Sequence, residues 1–339
     1  MKLAFILDPI DRLDPTHDST VALMEAAQQL GHEVFMTQAQ QLAVVAGRTQ
    51  APLAPVELVP VTLEANPAGG DRWRAEPQWY RCGQSQWQPL DAMDAVFMRT
   101  DPPVTVPYLY TTYLLDYVDS RTTLVMNAPR GIRAANEKMY ALQFGGVIPE
   151  TIVSQDKGTI RAFVERQGRT VLKPLGGKAG EGILFLEAGD RNFNSMIEIS
   201  THAGQVPVMV QEFLPEAKDG DKRVIVLDGE AIGAVNRIPT GNEFRGNMAV
   251  GGRVEKVEIT PRDREIVAAV APALRRDGLY FVGLDIIGGR LTEVNVTSPT
   301  GIREIDRLDG VRLGQQTIEW VQRKVVELVG LAPVKIDGA

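Results

Sequence analysis

The sequence predicts an α/β and α+β protein of two or three domains, and three observations carry that expectation. The runs KLAFIL and HEVFM flank a helical pattern, DSTVALMEAAQQLGHEV, which makes a βαβ unit and therefore a parallel sheet. Further on, FVGLDIIGGRLTEVNV places two short alternating runs on either side of Gly288 and Gly289, the pattern of a β-hairpin. Finally, 339 residues exceed what one compact core ordinarily holds.

In chain order, the first strand, residues 2–7, is broken too soon by Asp8 and Pro9 to be a signal peptide. The helix after it starts with Asp18 or Ser19 as N-cap and stops at Gly31. Residues 47–90 are rich in Pro, Gly, Gln and Trp, with weak alternation in PVELVPVTLE, and predict a meander or hairpin. DAVFMRTDPP is a strand from Asp94 to Met98 that Pro102 and Pro103 stop. Ligands of parallel sheets gather at strand C-termini, where this strand delivers Arg99 and Asp101; Asp8 and Arg99 are candidate substrate contacts. TLVMNAPR reads as a strand and turn leaving the first domain, and AANEKMYALQF as a helix carrying Lys138.

Strands at ETIVSQ and TVLKPL flank a helix, GTIRAFVERQG, capped by Asp156 or Thr159. TVLKPL runs into a glycine loop, GGKAGEG, and a further strand, ILFLEA. Gly176, Gly177, Gly180 and Gly182 allow close backbone approach to a ligand, and their N–H groups suit phosphate oxygens. The loop is not a Walker loop, since no GK[ST] precedes a helix. Lys173, on an otherwise apolar strand, needs an anionic partner. VPVMVQEFLPEA is the next strand, and DGDKRVIVLDGEAIGAVNRIP makes two more around Asp228-Gly229, with Arg223 and Arg237 at their outer ends. TGNEFRGNMAVGGR is unpatterned and reads as a mobile loop or lid. PRDREIVAAVAPALRRDG and VRLGQQTIEWVQRKVVELVG are helices.

The hairpin carries the candidate metal ligands. A two-residue Gly288-Gly289 turn sets Asp285 and Glu293 on opposite faces, whereas a three-residue loop that includes Arg290 sets them directly opposite each other. In the second case Asn295 shares their face. Two carboxylates and an amide oxygen suit Mg²⁺. On residue types alone a solvated face, with Asp285 and Glu293 paired to Arg290 or Arg303, is equally open.

Composition excludes several classes of function. A single cysteine, Cys82, permits no intrachain disulfide, and no histidine lies near it in sequence. Three scattered histidines argue against a His-based zinc site or a Ser-His-Asp triad. A net charge of −7 and no dense Lys/Arg run argue against nucleic acid, and no apolar run is long enough for a membrane span. A cytoplasmic location is expected.

Taken together, FILDPI, MRTDPP, the NEK of ANEKMY, VLKPLGGKAG, VQEFLPEAKDGDKRV, RGNMAVGGR and VGLDIIGGRLTEVNVTSPTGIREI resemble the ATP-grasp ligases, and among them bacterial glutathione synthetases. The resemblance implies a three-domain ATP-grasp fold. Its parts are an N-terminal Rossmann-like substrate domain at 1–125, a central lid domain at 126–204 and a C-terminal catalytic domain at 205–331. It further implies ATP as co-substrate, held by Lys138, Lys173, Gly176, Gly177, Lys178, Gly180 and Gly182, with Gln211, Glu212, Phe213, Leu214 and Asp221 at the adenine end. Asp285, Glu293 and Asn295 match the ligands of Mg²⁺ or Mn²⁺. Arg223 faces the transferred phosphoryl group, as a catalytic residue together with Lys173 and Arg237. Arg237, Arg245 and Ser298 hold the peptide substrate. The implied reaction joins γ-glutamylcysteine and glycine through an acyl phosphate, in a homotetramer. Asp285→Asn and Glu293→Gln are both expected to fold normally and lose activity. A D-alanine:D-alanine ligase or glutamate ligase of the same fold, or a nucleotide-binding protein without turnover, are the alternatives.

Overall fold

The computed structural model describes residues 1–65, 70–177, 180–240 and 253–331. It forms two compact units, one of residues 1–133, 275–281 and 297–339, the other of 134–274 and 282–296.

The first unit is built on the predicted parallel sheet. Its strands run in the order Leu124–Met126, Ala95–Met98, Lys2–Ile6, Glu33–Thr37, all parallel. Arg48–Leu58 then joins antiparallel, and Ala43–Val45, Tyr80–Cys82 and Gln86–Pro89 all pair with it, so the segment is not a meander; its hairpin is Thr62–Ala65 with Asp71–Arg74. Apolar side chains fill both faces of the central strands, as parallel sheets require; Phe5 and Phe97 stack at 4.4 Å on neighbouring strands. Helix Ser19–Gln29 starts where its cap predicts, with Asp18 accepting the Val21 amide at 2.8 Å, and packs against helix Leu313–Leu331.

AANEKMYALQF departs from the expected helix. Residues Pro129–Ala134 form a short α-helix and Met139–Phe144 a 3₁₀ turn. Between them Asn136 Oδ1 accepts the amides of Lys138 and Met139 at 3.2 and 3.0 Å, a local bond that replaces the helical ladder.

Helix Ile302–Asp309 is tied to the C-terminal helix by Asp306, whose carboxylate accepts the Leu313 amide at 2.8 Å. Burial pushes this carboxyl up to about 6, against the Leu313 amide and Arg303, which favour its charge. The folded state therefore holds a proton that the unfolded chain releases near pH ~4, and the stability it confers is lost as pH rises through that higher value. Asp306→Asn keeps the acceptor and removes the charge. We expect it to raise the unfolding free energy at about pH 8 by on the order of 2 kcal/mol, read by denaturant melts, and to leave it unchanged at about pH 4.

The second unit contains two antiparallel sheets. One runs Thr151–Ser154, Val208–Glu212, Arg169–Pro174, Leu184–Glu187, so its second strand comes from beyond residue 204. Helices Lys157–Gln167 and Phe193–Ser200 close a core of Ile160, Phe163, Val164, Leu172, Leu186, Phe193, Ile197, Val208 and Val210. The other runs Arg253–Lys256, Glu230–Ile238, Asp221–Leu227, Phe281–Ile287, Arg290–Asn295. Among the described residues no helix is long and apolar enough to cross a membrane.

Candidate active site

The hairpin opposes Asp285 to Glu293 as expected, but with the two-residue turn that was expected to set them on opposite faces and not with a three-residue loop. Gly288 and Gly289 take φ of 55° and 71°, the two positive values of a two-residue type I′ turn, and Ile287 pairs with Arg290 and Ile286 with Leu291. That register alone would oppose Asp285 to Thr292. A bulge at Thr292 shifts it, so Asp285 pairs with Glu293 and Gly283 with Asn295, and the three polar residues share one face. Thr292 Oγ1 secures the bulge by donating to the Asp285 carbonyl at 3.1 Å.

Neither Arg290 nor Arg303 pairs with these carboxylates. Arg223 grips Asp285 with two nitrogens, at 2.5 and 3.0 Å, and Arg237 approaches the same carboxylate at 3.0 Å. Both arginines stand on the neighbouring antiparallel strands, where Arg237 is directly opposite Asp221. Arg237 donates to Asp221 Oδ2 at 2.6 Å, while Asp221 Oδ1 is buried without a partner among the described residues. Two arginines and two aspartates thus form one buried network.

Its electrostatics follow from burial and pairing. Burial opposes the charge on Asp285, but Arg223 and Arg237 outweigh it and hold the carboxyl well below the usual carboxylate range. Asp221 goes the other way: burial raises it, Asp285 raises it further, and Arg237 compensates in part. Arg237 is raised, because Asp221 and Asp285 more than offset its desolvation.

A second cationic group adjoins this network. Lys138 Nζ donates to Glu293 Oε1 at 3.0 Å and to the Gly177 carbonyl at 2.8 Å. It is placed by Glu137, which accepts the Val294 amide through its backbone and the Val296 amide through its carboxylate, both at 2.9 Å. Sequence reasoning missed Glu137; its signal was its place between Asn136 and Lys138 in the NEK motif. Lys173 Nζ donates to Gln211 Oε1 at 2.8 Å. Burial lowers its pKa, Glu293 counters this and Lys138 adds to it, so the strand lysine has only part of the anionic partner it needs.

The remaining predicted residues divide clearly. Gln211 bridges Lys173 and Thr151, its Nε2 donating to Thr151 Oγ1 at 3.0 Å. Glu212 accepts the Glu150 amide, Phe213 meets Phe185 edge-on at 5.0 Å, and Leu214 precedes the 3₁₀ turn Pro215–Asp219. Gly176 and Gly177 follow the Lys173 strand; Gly180 and Gly182 take φ of 79° and 69°, which only glycine adopts readily. Lys178 and Arg245 lie outside the described residues, as does most of the predicted lid. Asp8, Arg99 and Ser298 belong to the first unit. There Asp8 accepts the Asp101 amide at 2.9 Å, and buried Arg99 donates to Thr20 Oγ1 and the Pro299 carbonyl, at 3.1 and 3.0 Å. Ser298 is half-buried in the bend after the hairpin. Cys82 is exposed, and partial burial of its thiol raises its pKa, as an inert thiol requires.

The donors fit a divalent cation with one qualification. Among the described residues no three His, Cys, Asp or Glu side chains cluster as a metal site, so an amide has to complete the set. Asp285 already accepts four bonds, counting Asn295 Nδ2 at 3.2 Å, which is a carboxylate's ordinary capacity. A cation bound through it displaces one of them. Glu293, whose side chain is 23% exposed and bonded through Oε1, is the more open ligand.

Two family models match the chain. Residues 1–133 match the prokaryotic glutathione synthetase N-terminal domain, and residues 137–310 the ATP-grasp domain of the same proteins. A relative named glutathione synthetase from Nostoc sp. is 65% identical over 325 residues, 96% of this chain and 99% of its own. One of the same name from Thermosynechococcus vestitus is 64% identical and covers 95% and 99%. Among solved structures, the D-cycloserine synthetase DcsG superposes with a TM-score of 0.64 at 14% identity, over 97% of this chain and 100% of its own. The ATP-grasp ligase PsnB, complexed with a minimal precursor, gives 0.61 at 20% identity, over 95% and 98%. At such identities these two show the fold alone.

Proposed function

Since the chain belongs to the prokaryotic glutathione synthetase family, we propose that its second compact unit holds the nucleotide and the phosphoryl group in an ATP-dependent synthesis of glutathione. The observation that carries this reading is the set of Lys138, Lys173, Arg223 and Arg237 around Asp221, Asp285 and Glu293, buried or half-buried, which among the described residues offers cations but no nucleophile or histidine base.

The reaction has two steps. The C-terminal carboxylate of γ-glutamylcysteine takes the terminal phosphoryl group of ATP, giving an acyl phosphate and ADP. The amine of glycine then attacks the acyl carbon, loses a proton, and phosphate leaves. Phosphoryl transfer of this kind needs mainly positioning and neutralisation of charge. Lys138 and Lys173 supply that charge to the phosphates, and an anion beside Lys173 restores the protonation that burial weakens. Arg223 and Arg237 meet the transferred group already fixed by Asp285 and Asp221, so they need little reorganisation. Asp285, Glu293 and Asn295 would hold Mg²⁺ or Mn²⁺, which offsets phosphate charge when bound.

The substrate contacts Asp8, Arg99, Ser298 and Arg245, and the domain limits 1–125, 126–204 and 205–331, belong to the same proposal. So do a cytoplasmic homotetramer and small molecules, rather than nucleic acid or membrane, as the partners. ADP release by the purified protein with Mg²⁺ and ATP is expected to need γ-glutamylcysteine and to run fastest with glycine. ADP release that needs two D-amino acids, or glutamate in place of glycine, would reassign the substrates.

A further inference from the structure

His17 joins two pieces of the first unit that lie far apart in sequence. It stands in the loop between the 3₁₀ turn Ile10–Arg12 and helix Ser19–Gln29, and its Nδ1 is 2.9 Å from Oε1 of Glu304, in the first turn of helix Ile302–Asp309. The Glu304 side chain is 3% exposed and that of His17 68%. Among the described residues His17 is the one ion-pair partner of Glu304, whose other oxygen, Oε2, is buried without a hydrogen bond. A buried carboxylate is costly without a counter-charge, and here the counter-charge is a side chain that titrates near neutral pH.

We propose that His17 is a positioning residue: its imidazolium clamps the 13–18 loop onto helix Ile302–Asp309, and as the proton leaves, the clamp loosens and the grip on the dipeptide substrate weakens with it. This rests on the preceding reading, in which Asp8, Arg99 and Ser298 are substrate contacts. All three are tied to the seam that the clamp closes. Ser19 Oγ accepts the amides of Gly301 and Ile302 at 3.1 and 3.2 Å, and Arg303 Nε donates to the Pro15 carbonyl at 3.1 Å. Arg99 spans the same seam, from Thr20 Oγ1 to the Pro299 carbonyl. Ser298 enters it from the hairpin, and Asp8 enters it from the first strand. The other bonds of the seam come from a hydroxyl and from arginines, which keep their charge across neutral pH; only the His17 link changes there.

The charges facing the pair set the direction of the response. On the imidazole, the bond to Glu304 outweighs partial burial, Asp14 of the same loop adds to the rise and Arg307 of the facing helix opposes it, so the pKa stands above its ordinary value. On the other side, Arg303 is committed to Glu25 of helix Ser19–Gln29, and Asp306 carries the raised carboxyl described above. Asp18, the cap of that helix, is raised by its own burial. A neutral imidazole keeps the bond to Glu304 through Nδ1–H but not the charge. Because the folded pKa of His17 is raised, the stability it confers is present in full below its unfolded value of ~6.5 and is lost as pH rises through the folded one.

The test compares the full chain with His17→Lys, which keeps a cation throughout, and His17→Gln, which keeps a donor without charge. Thermal melts are read at about pH 6 and about pH 8.5, on either side of the histidine range. We expect H17K and H17Q to differ by about 1–3 °C at both values, with the parent level with H17K at the lower and with H17Q at the higher. Asp306 titrates in all three chains alike, so comparison at one pH cancels it. The KM for γ-glutamylcysteine should be about 2–5-fold higher in H17Q than in the parent at the lower pH and equal to it at the higher, with kcat and the KM for ATP unchanged. A parent that melts with the same variant at both values overturns the clamp. Melts as expected with a KM ratio that does not change with pH overturn the positioning role and leave His17 as a stability device alone. If γ-glutamylcysteine is not turned over at all, the substrate reading fails and takes the positioning role with it, while the melts still decide the clamp.

Discussion

Glu293→Gln is expected to fold as the parent does and to lose turnover by roughly 10²–10³-fold, the scale of removing one preorganised charge from a transition state. The glutamine keeps the volume of the side chain and an oxygen for Lys138, which Glu293 now meets at 3.0 Å. What disappears is the negative charge of the more open candidate ligand, on a strand otherwise fixed by its bulge and by Glu137. The check is kcat for ADP release beside a thermal melt. Full turnover in Glu293→Gln would remove this residue from the catalytic account.

Asp285→Asn should behave differently, although the sequence alone suggests the same outcome for both. Asp285 is buried and counters two buried guanidiniums. An asparagine leaves Arg223 without its paired carboxylate and leaves Arg237 with Asp221 alone. Breaking a buried pair from one side costs about 3–5 kcal/mol. We expect the thermal midpoint to fall by roughly 6–12 °C, in addition to lost activity. Because its carboxyl is held below the usual range, Asp285 contributes stability that is present above its unfolded pKa of ~4 and is lost only as pH falls through its lower folded value. The deficit of the variant should therefore be full at neutral pH. An unchanged midpoint would mean that Arg223 and Arg237 do not depend on this carboxylate in the folded state.

The contrast between the two variants shows what the sequence could convey. Strand alternation, the Asp18 cap and the Gly-Gly turn are local signals, and they located the parallel sheet, the first helix and the hairpin. The partners of the carboxylates are not local. Arg223 is 62 residues from Asp285 and Lys138 is 155 from Glu293, and only the antiparallel pairing of distant strands brings them together. The Thr292 bulge was equally illegible, since a threonine in a strand gives no sign that it will be the extra residue. Asn136 shows the opposite case: its helix-breaking side-chain bonds are a local rule that the apolar pattern of AANEKMYALQF outweighed in the reading. Likewise the bridge that the Gln211 side chain makes between Lys173 and Thr151 is set by the register of three strands and has no local signal.

The most direct test of the account is Mn²⁺ binding to the purified protein with a non-hydrolysable ATP analogue, followed by electron paramagnetic resonance. It needs no turnover, so it separates the metal site from the substrate assignment. The account predicts one nucleotide-dependent site that Glu293→Gln weakens by about 10–100-fold, with a smaller change on replacing exposed Glu216 near the hairpin turn. Mn²⁺ binding of equal affinity in the parent and Glu293→Gln would contradict the assignment of the hairpin as the metal site.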